Sequence, residues 1–322
     1  MKIVIPGGSG QVGTILARAF RADGHEVVVL SRRPGVRPWR VVVWDGTSLG
    51  RWQREIDGCD VVINLAGSSV NCRYTAANRE EILQSRVLST RVVGQAISKA
   101  ERQPRVWLQA STATIYAHRY DSPNDEHSGI LGGNESDAPR SWRFSIEVAR
   151  AWEYTLEEAM TAKTRKVALR SALILSPDRG GIFDTLLGLA QHRLGGNAAD
   201  GRQFVSWIHY ADFVAAVRWL IGHDEIEGIV NVAAPGPLPN SEFMRVLRQA
   251  CGVPFGLPAS KWMLEIGAVF MRTETELILK SRWVVPARLI EHGFKFKHPD
   301  WPNAARDLCH EWEVARDKTL TA

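Results

Sequence analysis

Along the first 175 residues, short apolar runs alternate with segments whose apolar residues recur at helical spacing. The apolar runs are rich in valine and isoleucine and predict strands. They cover residues 2–5, 27–30, 41–44, 60–65, 106–110 and 166–175. Helices are predicted over residues 14–21, 85–100 and 141–162. Because apolar runs without polar alternation are typical of strands buried on both faces, the pattern predicts an α/β protein with a Rossmann-type, doubly wound parallel sheet.

After residue 176 the alternation weakens, and glycine pairs and prolines mark loops instead. A further helix is predicted over residues 210–221 and a further buried strand over residues 228–232. We therefore expect two parts in the chain. The Rossmann domain is predicted to comprise residues 1–176 with 204–233 returning to it, and a smaller C-terminal substrate lobe residues 177–203 and 234–322.

A glycine-rich turn joins the first predicted strand to the first predicted helix. Residues 7–13 contain Gly7, Gly10 and Gly13 at GxxGxxG spacing, and Gly8 adds an overlapping GxGxxG pattern. Glycines permit a tight turn and let the backbone approach a pyrophosphate. The loop, which also includes Gln11 and Val12, leads into a helix N-terminus whose free N–H groups favour anions. This strand–turn–helix context predicts dinucleotide binding.

The residues that follow the second predicted strand select the dinucleotide. A site for NAD places Asp or Glu there, where the carboxylate holds the ribose 2′-hydroxyl. This chain instead has Ser31, Arg32 and Arg33 directly after Leu30. Because arginine matches the planar, multi-acceptor 2′-phosphate, the sequence predicts NADP(H) as the cofactor.

Composition excludes several classes of protein. The 322 residues are 45% hydrophobic and 23% charged, which is ordinary for a folded globular protein. No run of about 18 apolar residues lacks a charge, and the apolar start is too short for a secretory signal. We therefore expect a cytoplasmic protein without a membrane partner. The 4 cysteines and 9 histidines show no metal-ligand spacing, so no metal is predicted.

The net charge of +5 is mostly interspersed, but arginines cluster between residues 31 and 54. Such a cluster suits a small anionic ligand as readily as a polymer. We expect no nucleic-acid partner, while a steep salt dependence of RNA or DNA affinity would indicate one.

The motifs together resemble the extended short-chain dehydrogenases/reductases, and more narrowly the atypical epimerase-family protein branch of the SDR family 39U member 1 type, which ends in a C-terminal domain of unknown function. The glycine loop and two segments after strands carry the first likeness: 7–13, 64–67 and 111–116. The narrower likeness rests on Gln84-Ser85-Arg86 with Thr90, Gly195-Gly196, Gly201-Arg202-Gln203, Trp207-Ile208-His209 with Asp212, and segments 285–289 and 293–296. It extends from Met1 to about Leu308.

The resemblance implies an NADP(H)-binding domain, a small C-terminal lobe and a small-molecule substrate. It places Leu65 and Ala66 on the adenosine side, with Gly67 completing a small-residue turn beside the cofactor. Glu81 and Arg86, on the segment before a helix, are implied as further cofactor contacts, although a solvated helical pair is the alternative. Ile174 is implied at the nicotinamide end. Related proteins often form a homodimer through a helix bundle, which stays open here.

The acid that this superfamily normally uses is missing. Its Tyr-x-x-x-Lys motif places a lysine cation beside a tyrosine, which lowers the pKa of the phenol. No Tyr-x-x-x-Lys occurs in this chain, and an alignment on Glu153 puts Ser145 and Ala149 at the two positions. Thr112 still occupies the usual Ser/Thr position.

Another group must then supply the proton if the protein is an enzyme. The candidates follow the fifth predicted strand, at the carboxyl edge where ligands bind: Tyr116 and His118 lead, ahead of Tyr120 and Glu126. Tyr116 is alternatively a packed aromatic. His209 is interpreted mainly as part of an interdomain hinge.

Two hypotheses of function follow. In the first, the protein is an NADP(H)-dependent oxidoreductase or a nucleotide-sugar-epimerase-like enzyme that acts on a small substrate. In the second, it is a catalytically silent NADP(H)-binding redox sensor or regulator, linked by family association to cell division. Turnover of NADPH with a carbonyl compound favours the first, and tight binding without turnover favours the second.

Overall fold

A central sheet of seven parallel strands organises the protein, of which the structure, a computed structural model, describes residues 1–136, 138–270 and 274–320. In chain order the strands are β1 (Lys2–Pro6), β2 (Glu26–Ser31), β3 (Arg40–Val43), β4 (Val61–Asn64), β5 (Val106–Thr112), β6 (Arg165–Ser171), β7 (Leu173–Leu175), β8 (Phe204–Val205), β9 (Trp207–His209), β10 (Gly228–Val232) and β11 (Leu238–Pro239). The central sheet has the order β10-β6-β5-β4-β1-β2-β3. This confirms the predicted α/β, Rossmann-type sheet.

The helices lie on both faces of this sheet and beyond its carboxyl edge. They are α1 (Gln11–Ala22), α2 (Ala76–Lys99), α3 (Arg143–Glu157), α4 (Ile182–Gln191), α5 (Tyr210–Gly222), α6 (Asn240–Ala250), α7 (Lys261–Phe270), α8 (Glu276–Leu279), α9 (Ala287–Glu291) and α10 (Trp301–Leu320). Short 3₁₀ turns occur at Arg51–Glu55, Ala113–Ile115 and Arg140–Trp142.

Most residues of the central strands are apolar because each face of the sheet is covered. In β1, Ile3 and Ile5 point into the cluster that α1 and α5 cover, whereas Val4 points into the cluster that α2 covers. All three side chains are fully buried. Burial of one such side chain contributes about 1.5–3 kcal/mol. Buried polar residues of the sheet are hydrogen-bonded instead, as where Asn64 Nδ2 donates to Gln109 Oε1 at 2.9 Å.

The sixth predicted strand, over residues 166–175, is wrong in extent because it is two strands. β6 ends at Ser171, and β7 leaves the central sheet to pair in parallel with β9. Backbone hydrogen bonds fix this division: Ala172 N donates to Val232 O, while Leu173 N donates to Ser206 O. Arg170 and Ser171 interrupt the apolar run just before the division, but no glycine or proline within residues 166–175 marks the change of partner.

Two predicted helices also have different ends. α2 begins at Ala76 instead of residue 85, because Thr75 Oγ1 caps it by accepting from Asn78 N at 3.3 Å. α3 spans Arg143–Glu157 instead of residues 141–162. Lys166 ends it, since its Nζ donates to the carbonyl oxygens of Leu156 and Glu157.

The region beyond β7 has a core of its own. Trp207, Phe243, Leu247 and Trp301 are buried together, with the ring centroids of Phe243 and Trp301 stacked at 4.1 Å. α4, α6 and α10 contribute to this cluster, while β10 returns to pair with β6 in the central sheet. The predicted domain limits stay a prediction. Residues 271–273 and 321–322 of the predicted lobe lie outside the described residues.

Among the helices in the part of the chain that the structure describes, none is both long enough and apolar enough to cross a membrane.

Candidate cofactor and active site

The turn between β1 and α1 is shaped by glycines that no larger residue could replace. Gly7 has φ +74°, and a Cβ on it would lie 2.6 Å from the backbone N of Ala66. A Cβ on Gly13 would lie 2.4 Å from Gly8 Cα. The N-cap of α1 is Gly10, which has no side chain to cap the first N–H groups. The turn is therefore a bare backbone surface of the kind that cradles phosphate.

A segment after β7 lies across the start of α1. Gln11 Nε2 donates to Ser176 Oγ at 3.0 Å, and both Asp178 oxygens accept from Arg18 at 2.7 Å. A Cβ on Gly181 would lie only 2.1 Å from Gln11 Nε2. Residues 176–181 thus form one wall of the cradle.

Two exposed cations stand at the carboxyl end of β2. Arg32 and Arg33 are exposed, and neither forms an ion pair with another described residue. Ser31 is buried, and its Oγ accepts from Arg33 N at 3.2 Å. Gly7 N donates to Leu30 O, so the arginines follow the strand that adjoins the cradle. This is the arrangement that the sequence predicts for binding a 2′-phosphate.

The end of β4 closes on the other side of the cradle. Leu65 N donates to Pro6 O at 2.8 Å, and Ala66 N donates to Asn64 Oδ1 at 3.1 Å. Gly67 faces Arg86, whose Cζ would be 3.1 Å from a Cβ at that position. Leu65 and Ala66 are therefore held beside Gly7, as a contact with the cofactor requires.

Glu81 and Arg86 both lie within α2, not on a segment before it. Glu81 Oε1 accepts from Ser68 Oγ at 2.8 Å, while Arg86 Nη1 donates to Ser68 O at 3.0 Å. Arg86 also covers the Trp152 ring, and burial lowers the pKa of its guanidinium to about 10. In this structure the two residues hold the loop after β4 in place, and a direct cofactor contact stays a prediction.

Ile174 lies in the middle of β7, opposite Ile208 of β9. It is half-buried and packs against the core that α1 and α5 share with the sheet. The contact of Ile174 with the nicotinamide stays a prediction.

The predicted catalytic residues follow β5 but have different surroundings. Thr112 ends the strand, and its Oγ1 accepts from Thr114 N at 3.2 Å. Tyr116 is buried, and its hydroxyl donates to Asn231 Oδ1 at 3.0 Å. Burial raises the pKa of Tyr116, so its proton is held within the core. Ala149, at the position of the missing lysine, belongs to the same apolar cluster. We do not assign Tyr116 as the acid.

The alternatives His118 and Glu126 are engaged in holding the C-terminal region. His118 Nδ1 accepts from Ser281 N at 2.8 Å, and its ring meets those of Tyr120 and Trp142 edge-on. Glu126 accepts from the backbone of Asn231 and has a pKa raised by burial. His118 and Tyr120 nevertheless line the cleft described below, which keeps them close to a substrate.

A buried ion pair stands behind the end of β5. Arg170 donates to both oxygens of Glu153, at 2.8 and 2.7 Å, and Ser111 Oγ donates to Glu153 Oε1 at 2.5 Å. The Arg170 guanidinium also lies over the Tyr116 ring, 4.8 Å from its centroid. This network fixes β5, β6 and α3 relative to one another.

A group of charged residues that the sequence analysis missed surrounds the position of the missing tyrosine. Ser145 Oγ donates to Glu276 Oε2 at 2.6 Å. Lys280 Nζ donates to Thr114 O at 2.7 Å, and Arg282 Nε donates to Thr114 Oγ1 at 3.0 Å. A signal was available, because these charges interrupt an apolar stretch near the C-terminus, but their distance along the chain concealed the partnership with Ser145.

The burial of this group changes its acid–base behaviour. Glu276 and Lys280 are each only 2% exposed. Burial raises the pKa of Glu276 and lowers that of Lys280 to about 8. A carboxyl with a raised pKa beside a lysine with a lowered pKa is typical of an acid–base site.

Two hollows adjoin the group. A cleft of about 600 Å³ is lined by His118, Tyr120, Trp142, Gln203, Glu274 and Leu279, among others. A smaller cavity of about 260 Å³ is lined in part by Ile146 and Lys280, and Trp142 borders both. The larger cleft is within the usual range for small ligands.

His209, His298 and Asp307 come together although their spacing predicts no metal site. His209 Nε2 lies 3.2 Å from Asp307 Oδ2, and the two histidine rings stack at 3.8 Å. Because His209 Nδ1 accepts from Ala211 N, the hydrogen of the neutral ring is on Nε2, which faces the carboxylate instead of offering a lone pair to a metal. The cluster joins β9 to α10, and the hinge interpretation of His209 stays a prediction.

Two family models match the chain. Residues 3–233 match the NAD dependent epimerase/dehydratase family, and residues 259–308 match a domain of unknown function, DUF1731. The second match contains Glu276, Lys280 and Arg282. Both parts of the site therefore lie in matched segments.

The chain is similar to named proteins over nearly its full length. It is 31% identical to the epimerase family protein SDR39U1 of Bos taurus, over 96% of this chain and 99% of that protein. It is 28% identical to the epimerase family protein YfhF of Bacillus subtilis, over 96% and 98%. The crystal structure of human epimerase family protein SDR39U1 (isoform2) with NADPH superposes with a TM-score of 0.84 at 27% identity, covering 96% of this chain and 99% of that one.

Proposed function

The chain belongs to the NAD dependent epimerase/dehydratase family, and on this premise we propose that it is an NADP(H)-dependent oxidoreductase acting on a small, sugar-like carbonyl or alcohol. The membership confirms the resemblance to the epimerase-family branch of the atypical short-chain dehydrogenases/reductases. The observation that carries the proposal is the bare glycine turn beside the unpaired cations Arg32 and Arg33.

The choice of NADP(H) over NAD(H) rests on charge at the end of β2. A 2′-phosphate adds charge and acceptor atoms where the ribose of NAD has a hydroxyl. Arg32 and Arg33 are exposed there and unpaired among the described residues. The human relative, crystallised with NADPH, supports the same choice.

The residues of this chain divide the work of a hydride transfer. NADPH, when bound, supplies a hydride to a carbonyl carbon. The turn at Gly7 and Gly13 would hold its diphosphate, and the wall containing Ser176 would limit its movement. Thr112, at the carboxyl end of β5, would hold the substrate oxygen by a hydrogen bond.

The cleft supports a small polar substrate. Its lining carries both signs of charge, with Arg73 and Lys261 opposed by Asp200, Glu265 and Glu274. A polyhydroxylated substrate can form hydrogen bonds with charged groups of both signs, whereas a purely apolar one cannot. This favours a sugar-like substrate.

The second candidate function is a silent NADP(H)-binding sensor. It is favoured by the absence of Tyr-x-x-x-Lys and by the core position of Tyr116. In that case NADPH would bind tightly and be released without being oxidised.

Deuterium transfer separates the two functions. The protein is incubated with NADPH carrying deuterium at C4 and with a panel of aldehydes, ketones and keto sugars, and products are analysed by mass spectrometry. Deuterium in any product supports the oxidoreductase. NADPH binding without deuterium transfer to any member of the panel supports the sensor and contradicts the proposal.

A further inference from the structure

We propose that Glu276, contributed by the C-terminal segment, is the general acid–base residue that replaces the missing tyrosine in the reaction. The inference rests on the proposed function, because an acid–base residue has a role here only if the protein transfers a hydride. It assigns a chemical role to the segment that matches the domain of unknown function.

The position of the carboxyl is the first argument. Ser145 is at the place where the superfamily has its tyrosine, and its hydroxyl is too weak an acid to act alone. The Ser145 hydroxyl donates to Glu276 Oε2 at 2.6 Å. A hydrogen bond therefore links the vacated position to a much stronger acid, 131 residues away in the chain.

The free oxygen of the same carboxyl is the second argument. Glu276 Oε1 is buried and has no hydrogen-bond partner among the described residues. A buried carboxyl oxygen without a partner is destabilising, and a hydrogen bond to a substrate would offset that cost. Because Oε2 accepts from Ser145, a proton on Glu276 belongs on Oε1.

Two cations that follow Glu276 in the chain tie its segment to the end of β5. Lys280 and Arg282 both donate to Thr114, two residues after Thr112. Thr275 directly precedes Glu276, and Leu279 follows it by about one helical turn. Both residues line the 600 Å³ cleft. The segment thus connects the cleft to the strand end that carries the substrate-holding threonine.

The charged and polar groups around the carboxyl set its protonation. Arg282, Lys280 and Ser145 favour its ionised form, while burial and Glu274 favour its neutral form. Burial is the largest of these effects, and the pKa of Glu276 is raised. Tyr74 adds no negative charge near neutral pH, because its own pKa is also raised.

The step balances as follows. The hydride from reduced nicotinamide forms a C–H bond at the carbonyl carbon, and the π pair of C=O moves to oxygen. The O–H bond at Glu276 Oε1 breaks as the product hydroxyl forms, which leaves NADP⁺ and a Glu276 carboxylate. Solvent returns one proton to the carboxylate. In the reverse direction the carboxylate accepts the proton of the alcohol while NADP⁺ is reduced.

The test combines turnover with an infrared measurement. Reduction of 9,10-phenanthrenequinone by NADPH is followed at 340 nm from pH 5 to 9 for the wild type, Glu276→Gln, Glu276→Asp and the control Glu147→Gln, which changes an exposed carboxylate on α3. NADPH dissociation constants are measured alongside. Infrared difference spectra at pH 7 between the wild type and Glu276→Gln report whether Glu276 is protonated.

We expect Glu276→Gln to lower kcat about 10²–10⁴-fold with an unchanged NADPH dissociation constant. Glu276→Asp should recover part of the rate, and the wild-type fall in kcat at high pH should vanish in Glu276→Gln. The wild type should show a protonated carboxyl band that Glu276→Gln lacks.

Four results would overturn the assignment. An ionised Glu276 at pH 7 leaves no proton to donate, and an unchanged kcat in Glu276→Gln removes the role while the oxidoreductase stands. If Glu276→Gln loses NADPH binding together with turnover, Glu276 has a structural role instead. If the wild type binds NADPH but reduces neither the quinone nor any member of the carbonyl panel, the oxidoreductase function fails and the acid role fails with it.

Discussion

The cofactor side and the substrate side of this protein are built in different ways. The cofactor side (residues 7–13, 31–33 and 64–67) consists mainly of backbone placed by consecutive residues at the ends of neighbouring strands. The substrate side (residues 112–118, 145 and 274–282) consists of side chains brought together from distant parts of the chain. The comparison teaches that a phosphate site depends on local shape, whereas an acid–base site depends on tertiary contacts.

The largest effect is expected from the ion pair that supports the substrate side. Glu153→Ala leaves the buried Arg170 without its carboxylate and Ser111 without its acceptor. We expect the free energy of unfolding to fall by about 3–5 kcal/mol, measured by urea denaturation. Glu157→Ala, an exposed change one turn along α3, is the control and should cost less than about 0.5 kcal/mol. Equal losses in both variants would contradict the role of the pair.

On the cofactor side, the corresponding substitution acts through a steric clash. Gly13→Val places side-chain atoms into the backbone of Gly8 and should cost about 1–3 kcal/mol of stability and abolish the NADPH-induced rise in Tm. Differential scanning calorimetry with and without NADPH measures both effects. The control is Gly35→Ala, which meets no atom within 4 Å and should keep the full NADPH response. A Gly13→Val protein that still responds to NADPH would show that the turn does not hold the cofactor.

Charge is the next contribution to test on the cofactor side. Arg32→Ala should weaken NADPH binding by about 1.5–3 kcal/mol, roughly 10- to 150-fold, while NADH binding stays the same. Isothermal titration calorimetry gives both constants. Arg37→Ala removes an exposed arginine from the same cluster and should change neither. If Arg32→Ala weakens the binding of NADH as much as that of NADPH, the guanidinium does not bind the 2′-phosphate.

The smallest effect is expected on the substrate side, where Lys280 makes the free energy of unfolding depend on pH. Lys280 has a pKa lowered by burial to about 8, against 10.5 when unfolded. Between these values the unfolded chain binds more protons, so the contribution of Lys280 to the free energy of unfolding rises with pH. Lys280→Met should remove that rise in urea titrations, and the exposed control Lys163→Met should retain it. A rise of the same slope in Lys280→Met would place its origin elsewhere.

The same contrast explains what the sequence could predict. The sheet, the glycine turn and the arginines after β2 follow from local patterns, since strand burial and phosphate binding each constrain neighbouring residues. The pairing of β7 with β9 could not be predicted, because no glycine or proline within residues 166–175 marks the end of a strand.

The acid–base side shows the limit more clearly. Tyr-x-x-x-Lys is absent from the sequence, and the loop after β5 offers Tyr116 and His118 as the leading alternatives. Tyr116 packs in the core, in one apolar cluster with Ala149. Glu276 could not be predicted, since only the folded chain brings it to Ser145.

Equilibrium titration of the wild-type protein with NADPH and with NADH, followed by calorimetry under one set of conditions, tests the central claim most directly. The account predicts saturable binding of NADPH at a single site, about 10- to 150-fold tighter than NADH, which matches the contribution of a charge-assisted arginine contact. Equal affinity for the two cofactors, or binding of neither, would contradict it.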